Sequence, residues 1–349
     1  MKRLALYLVR QLAPGILWAW AFLLIIDVTF FVLDNLTEAS GGTFVQQLAL
    51  SLPARAYALF PMACLIGGLW RMGDLASARE LVAARGAGLA PARIALWALA
   101  AAIALSVPAL WLGEVIAPDT GYRAQLLRAG SDRPDLGVDR SREVWVRDGP
   151  RMVRIGAVEG PQLLTDVQVL EFGDDRRLRR ISAARAARNE GGRWYLDDVA
   201  WTAFGDAGVT AQRDARLAWD HPPDPALIQA LQRAPEQMSL AELRRYLRYL
   251  RANAIASGRY ALSFWSRLVW PVTTWVMLLL GLALVLYRAR PWRTPTRLLA
   301  GVLIGLGFKL LSDTTTQAGL VYGMPPVVAA WLPTAAATIV LVVLLRRAR

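Results

Sequence analysis

The residues of this chain that could do chemistry are few, and most are charged groups in costly places. Asp27, Lys309 and Asp313 fall inside long apolar runs, where an ionisable side chain marks either an internal pair or a functional contact. Lys309 and Asp313 stand four residues apart, one helical turn, so one reading pairs them while the lysine snorkels outward. The other reading places Lys309 on a cavity wall, where it attracts an anionic headgroup. Arg123 and Arg128 follow one apolar run, and Arg259 and Arg267 border the start of another. Guanidinium groups gathered in this way suit phosphate or carboxylate recognition, although each alone also serves as a simple headgroup anchor.

Enzyme machinery is not visible. The sequence has no G-x-S-x-G and no H-E-x-x-H, and its two lysines, Lys2 and Lys309, lack the glycines of a phosphate-binding loop. One cysteine, Cys64, and one histidine, His221, cannot assemble a disulfide or a Cys/His metal site, and both read as structural. The expectation is a chain with no catalytic residues, no metal and no cofactor of its own.

The elements that must position these charges are mostly membrane spans. The 349 residues are 55% hydrophobic with a mean hydropathy of +0.34, too apolar for an ordinary soluble domain of this length. Runs at 12–33, 48–70 (kinked at Pro53), 94–116, 262–287, 296–311 and 327–345 are each expected to cross the bilayer. Between the third and fourth run the composition turns to Arg, Asp, Gly and alternating apolar residues, with turn signals at Asp148-Gly149, Gly173-Asp174-Asp175 and Gly191-Gly192. Strand-like stretches at 144–146, 152–155, 167–172, 194–196, 199–204 and 209–219 predict an antiparallel sandwich or roll. Ser239 and Glu242 form a capping box that opens an Arg-rich helix to about residue 256.

The fold class is thus an α-helical polytopic membrane protein, three spans on either side of an inserted all-β domain. The expected limits are 1–117, 118–238 and 239–349. The formal charge of +13 does not require nucleic acid, because it is placed by the membrane. Lys2, Arg3 and Arg10, then Arg71, Arg79, Arg85 and Arg93, then Arg288, Arg290, Arg293 and Arg297, and finally Arg346, Arg347 and Arg349 all fall on one side, while the opposite short loops hold only Arg55. By the positive-inside rule both termini are expected in the cytoplasm and the β domain outside it. The cytoplasmic loop between spans two and three, about 74–86, reads as a short helix with Leu75, Ala78 and Val82 on one face and Gly86 as its stop. It either rests on the bilayer surface or docks a partner through Arg79 and Glu80.

Four stretches resemble the lipopolysaccharide export permease family, LptF/LptG: Ser77-Ala-Arg-Glu-Leu-Val-Ala-Ala-Arg-Gly-Ala-Gly88, Gly113-Glu-Val-Ile-Ala-Pro118, Trp145-Val-Arg-Asp-Gly149 and Val321-Tyr-Gly-Met-Pro-Pro326. The last, together with Arg259-Tyr-Ala-Leu-Ser-Phe-Trp-Ser-Arg267, is similar to the LptG branch rather than the LptF branch, and the resemblance runs end to end. It implies a permease half in the inner membrane of a Gram-negative bacterium, paired with an LptF-type paralogue. It further implies a dimeric LptB-type ATPase that uses ATP and Mg, a single-span LptC-type protein, and an LptA-type periplasmic bridge that receives lipopolysaccharide from a periplasmic jelly-roll domain. Arg79, Glu80, Leu81 and Arg85 would then belong to the coupling helix, and spans one and five would be lateral gates facing the partner permease, so that no Asp27–Lys309 bridge forms within one chain. The family often carries lysines near the outer end of span one for lipid A phosphates. Here that stretch is Phe31 to Glu38, with Thr37 and Glu38 where positive charge is expected, so the expected substrate contacts become Lys309, Arg123, Arg128, Arg267 and Phe31. Two other roles fit the residues: a permease for lipoproteins or another lipid, and a membrane sensor whose outer β domain binds a ligand.

Overall fold

The computed structural model describes residues 2–35, 41–78, 80, 86, 91–131, 144–148, 150–160, 162–173, 175, 177–205, 208–219, 222, 233–253, 257–287 and 294–347. These form two compact units, one of residues 1–129, 235–244 and 257–349, the other of residues 130–234 and 245–256.

The first unit is helical. Its elements are α1 (Lys2–Asp34), α2 (Gly41–Ser77), α3 (Pro91–Trp111), a π-helical turn (Leu112–Ile116), α4 (Ala117–Ser131), α6 (Gly258–Tyr287), α7 (Thr294–Val321) and α8 (Pro326–Arg347). Six stretches are long and apolar enough to cross a membrane, as the hydropathy of the sequence predicts. The packed centre is built on α2 and α6: Phe60, Cys64, Met72 and Leu75 of α2 and Leu278, Leu282 and Leu286 of α6 meet Leu12 and Ile16 of α1 and the alanines of α3. Small residues let the backbones close. A Cβ on Gly67 would lie 2.7 Å from the carbonyl oxygen of Gly15, so the α1–α2 crossing needs glycine there. Polar ties also cross between spans, from Thr273 to Thr334 at 2.7 Å and from Trp275 Nε1 to Ser106 Oγ at 3.2 Å.

Two boundaries differ from expectation. The third span does not end at Pro118 but runs on as α4 to Ser131, and the second unit begins at residue 130 instead of 118. A proline has no N–H to close the helical ladder. The π turn just before it, closed by the Ala117 N–H donating back to the Leu112 carbonyl, resets that ladder so that the chain passes Pro118 while remaining helical. Likewise Asp74–Ser77 are the last turn of α2 rather than the start of a separate loop helix, because Leu75 is buried in the core.

The second unit holds one antiparallel sheet of six strands in sequence order: β1 (Val144–Asp148), β2 (Arg151–Gly160), β3 (Leu163–Phe172), β4 (Leu178–Glu190), β5 (Arg193–Gly205) and β6 (Gly208–Trp219). The register aligns Ile155, Val167, Ala184 and Val199 across four strands, and all four are buried. A second aligned row, Leu164, Ala187 and Leu196, is buried too. It stands three residues from the first along each strand, so strict alternation would send it to the opposite face. The break falls at Asp166 and Asp198, whose φ values of 51° and 55° take the left-handed conformation that aspartate tolerates better than most residues. These two residues therefore allow both rows to bury. The joined strand β5, read from sequence as two pieces, has the same cause. The Ser239–Glu242 capping box is present, with Ser239 N–H donating to Glu242 Oε2 at 2.8 Å and Glu242 N–H to Ser239 Oγ at 3.3 Å, and α5 (Leu240–Ala252) follows it.

Candidate functional site

Polar groups gather at two places in the helical unit. The first lies where the carboxyl end of α1 meets α2 and α4. Asp27, the acid inside span one, accepts from Arg55 Nη1 at 2.6 Å, and Arg55 Nε donates to Ser51 Oγ one turn back. The Arg55 guanidinium lies 4.1 Å from the centroid of the Phe31 ring, and Phe31 stacks on Phe44 with centroids 6.0 Å apart. Asn35 Nδ2 donates to the Phe31 carbonyl at 2.8 Å while its Oδ1 accepts from Arg128 Nη2 at 3.3 Å. Two expected residues, Phe31 and Arg128, are thus joined to Arg55, Asp27 and Asn35. From sequence Arg55 reads only as a loop charge; the signal that it belongs here is that an acid within a span needs a cation.

The remaining expected contacts are placed apart from this group. Arg123 is exposed on α4. Lys309 reaches Asp313 at 3.0 Å with both side chains more than half exposed, the paired reading of that spacing. Arg267 is an internal tie: its side chain is 11% exposed, and it donates to Glu114 Oε1 at 2.7 Å, to the Gly113 carbonyl at 3.1 Å and to the Glu236 carbonyl at 3.0 Å. Glu114 in turn accepts from the Leu240 N–H at 2.7 Å. Arg267 therefore clamps the π turn to the start of α5, and a guanidinium so occupied has little left to offer a ligand.

The second place is the other end of the spans. Arg297 at the start of α7 is only 4% exposed. It donates to Asp74 Oδ1 at 3.4 Å, Ser77 Oγ at 3.1 Å, Thr294 Oγ1 at 3.3 Å and the Trp70 carbonyl at 3.5 Å. Its guanidinium lies where a side chain on Gly73 would stand, so glycine there makes the room. Arg71 joins the same cluster, 3.8 Å from Asp74 and donating from Nε to the Gln11 carbonyl at 3.0 Å, with Nη2 to the Gln11 side-chain oxygen. A buried guanidinium is tolerable only when acceptors surround it. The result is that α1, α2 and α7 are locked together at the start of the expected coupling segment, about 74–86. Glu80 of that segment is helical and exposed, while Arg79, Leu81 and Arg85 lie outside the described residues. No group of His, Cys, Asp and Glu suited to a metal ion is present among the described residues.

Six apolar spans, three on either side of an antiparallel β domain in the sequence, define a multi-pass membrane protein. The profile of the lipopolysaccharide export system permeases LptF/LptG matches residues 6–347, and the chain belongs to that family. It is 29% identical over 327 residues to the lipopolysaccharide export system permease protein LptG of Escherichia coli strain K12, covering 90% of this chain and 89% of the relative. It is 27% identical over 286 residues to the LptG of Haemophilus influenzae, covering 81% and 80%. The resemblance read from the four sequence stretches holds, including its LptG branch.

Proposed function

We propose that this chain is one permease half of an ATP-driven exporter that extracts lipopolysaccharide from the inner membrane and passes it to a periplasmic bridge of β domains. The observation that carries the reading is the match to the permease family along nearly the whole chain, spans and β domain alike. The charge asymmetry of the loops supports cytoplasmic termini and a periplasmic β domain. Its other half is an LptF-type paralogue. The faces of α1 and α7 support that pairing, since Trp18, Phe22, Ile25 and Phe30 of one and Leu299, Leu303, Leu306 and Leu310 of the other are exposed, and apolar faces of this size meet either lipid or another span.

ATP is hydrolysed by a separate LptB-type dimer, with Arg79, Glu80, Leu81 and Arg85 forming the segment that receives its movement. The Asp74–Arg297–Arg71 cluster supplies a route for that movement: a push on the loop acts on the end of α2, and the ties from Asp74 and Arg71 transmit it to α7 and α1. Spans one, two, four and five then narrow a shared cavity and expel the lipid. Arg128, Arg123 and Lys309 are the cations offered to phosphates, Arg55 is held by Asp27 and Phe31, and Arg267 fixes the geometry from behind. LptC- and LptA-type proteins continue the path.

The test is depletion of this chain in its host, followed by separation of newly labelled lipopolysaccharide between inner and outer membranes. Accumulation at the inner membrane is expected. Normal delivery, in a host with no second copy, overturns the reading and moves lipoprotein transport or ligand sensing to the front.

A further inference from the structure

The β domain holds a charged cavity that the transport reading leaves without a role. It has a volume of about 130 Å³ and is lined from every strand between β2 and β6, by Arg151, Glu171, Arg180, Leu196, Leu217 and Trp219 among others. In a flat sheet β2 and β6 would stand roughly 19 Å apart, four strand spacings, so the sheet must curl for both to border so small a space. Arg151 pairs with Glu171 and Glu171 with Arg180 in the register, which sets three charges of alternating sign in one row on the inner face. Arg151 Nε reaches Glu171 Oε1 at 3.2 Å and balances it. Arg180 has no such balance: its guanidinium lies 4.3 Å from the centroid of the Trp201 ring, and its Nε is buried with no acceptor among the described residues. A guanidinium stays charged at any accessible pH, and a buried donor without an acceptor is destabilising.

We propose that this cavity is an oxyanion site, in which the Arg180 guanidinium that lines it holds a phosphate group and the row as a whole, net positive by one, draws the anion in. Leu196, Leu217 and Trp219 give the cavity one apolar side. The phosphate comes either from the free anion or from a phosphorylated lipid headgroup, the latter resting on the export reading.

The experiment uses the full chain in maltoside micelles, which carry no phosphate, and measures binding of radiolabelled inorganic phosphate. Saturable binding is expected. Arg180→Gln should weaken it by roughly ten- to a hundredfold, the worth of a charge-assisted hydrogen bond. Arg180→Lys should lose less, and replacing the exposed Arg177 by Gln should change nothing. Glu171→Gln removes the negative member of the row and should tighten binding several-fold, an outcome that misfolding cannot mimic. In a second arm, a photocrosslinker at Leu217 is exposed to lipopolysaccharide and to the same lipid stripped of phosphate. Crosslinking that needs both the phosphate and Arg180, without binding of the free anion, assigns the site to the headgroup. Absence of both signals in the folded protein overturns the site, and leaves the export reading to be judged by the depletion experiment alone.

Discussion

At the scale of residues, α7 carries two cations in opposite settings. Lys309 and Asp313 lie on the protein surface one turn apart within a span, where removing one charge leaves the other without its partner. Lys309→Ala should therefore be measured beside Lys309→Ala with Asp313→Asn, and a loss of headgroup crosslinking in both reports a direct contact with cargo. Intact crosslinking removes Lys309 from the phosphate contacts. Arg297 is the contrary case, because breaking a buried pair from one side leaves the partner uncompensated, typically at a cost of about 3–5 kcal/mol. Asp74 is part exposed and keeps Arg71 nearby, so the expected loss for Arg297→Leu is about 2–3 kcal/mol, read by thermal unfolding in micelles. In cells the same variant should cut lipopolysaccharide delivery while ATP hydrolysis by the assembled complex persists. Delivery at the normal rate would show that movement reaches α7 by another route.

At the scale of elements, the most telling case is β4. Its sequence, Leu178 to Glu190, is rich in alanine and arginine, residues that favour helix over strand, and reasoning from propensity passed over it. Ala184, Ala186 and Ala187 are buried, with Val167 and Val199 beside Ala184 and Leu164 and Leu196 beside Ala187 to supply the bulk. The turns at 173–175 and 191–192 bracket the segment and were the available clue. The left-handed aspartates give a test of the two buried rows. Asp198→Gly and Asp198→Val both lose the exposed pair with Arg213, but Asp198→Val, which resists positive φ, should be the less stable by about 1–2 kcal/mol in thermal melts. Equal melting temperatures for the two variants would show that the backbone at 198 relaxes and that both rows bury without a left-handed residue there.

At the scale of the whole molecule, the arrangement of spans makes a labelling prediction. Cys64 is buried and should not react with a membrane-impermeant thiol reagent. Glu80→Cys should label only from the cytoplasm, and Arg177→Cys, at a position 86% exposed on the β domain, only from the periplasm. Labelling of both from one side would contradict the orientation drawn from the loop charges. The spans themselves were legible because twenty apolar residues have few alternatives in a chain of this composition.

What the sequence by itself determined is what depends on composition and local order: six spans, an inserted β domain, a capped helix at Ser239, the absence of familiar catalytic motifs, and a family resemblance carried by short contiguous stretches. What only the tertiary structure decided is which charges meet. Asp27 takes Arg55, twenty-eight residues away, Arg297 takes Asp74 across 223 residues, and Arg267 takes Glu114 across 153. An unpaired charge in an apolar run announces only that it needs a partner. Which partner it finds is set by how the helices cross, and that follows from side-chain packing over the whole bundle, which no local pattern encodes.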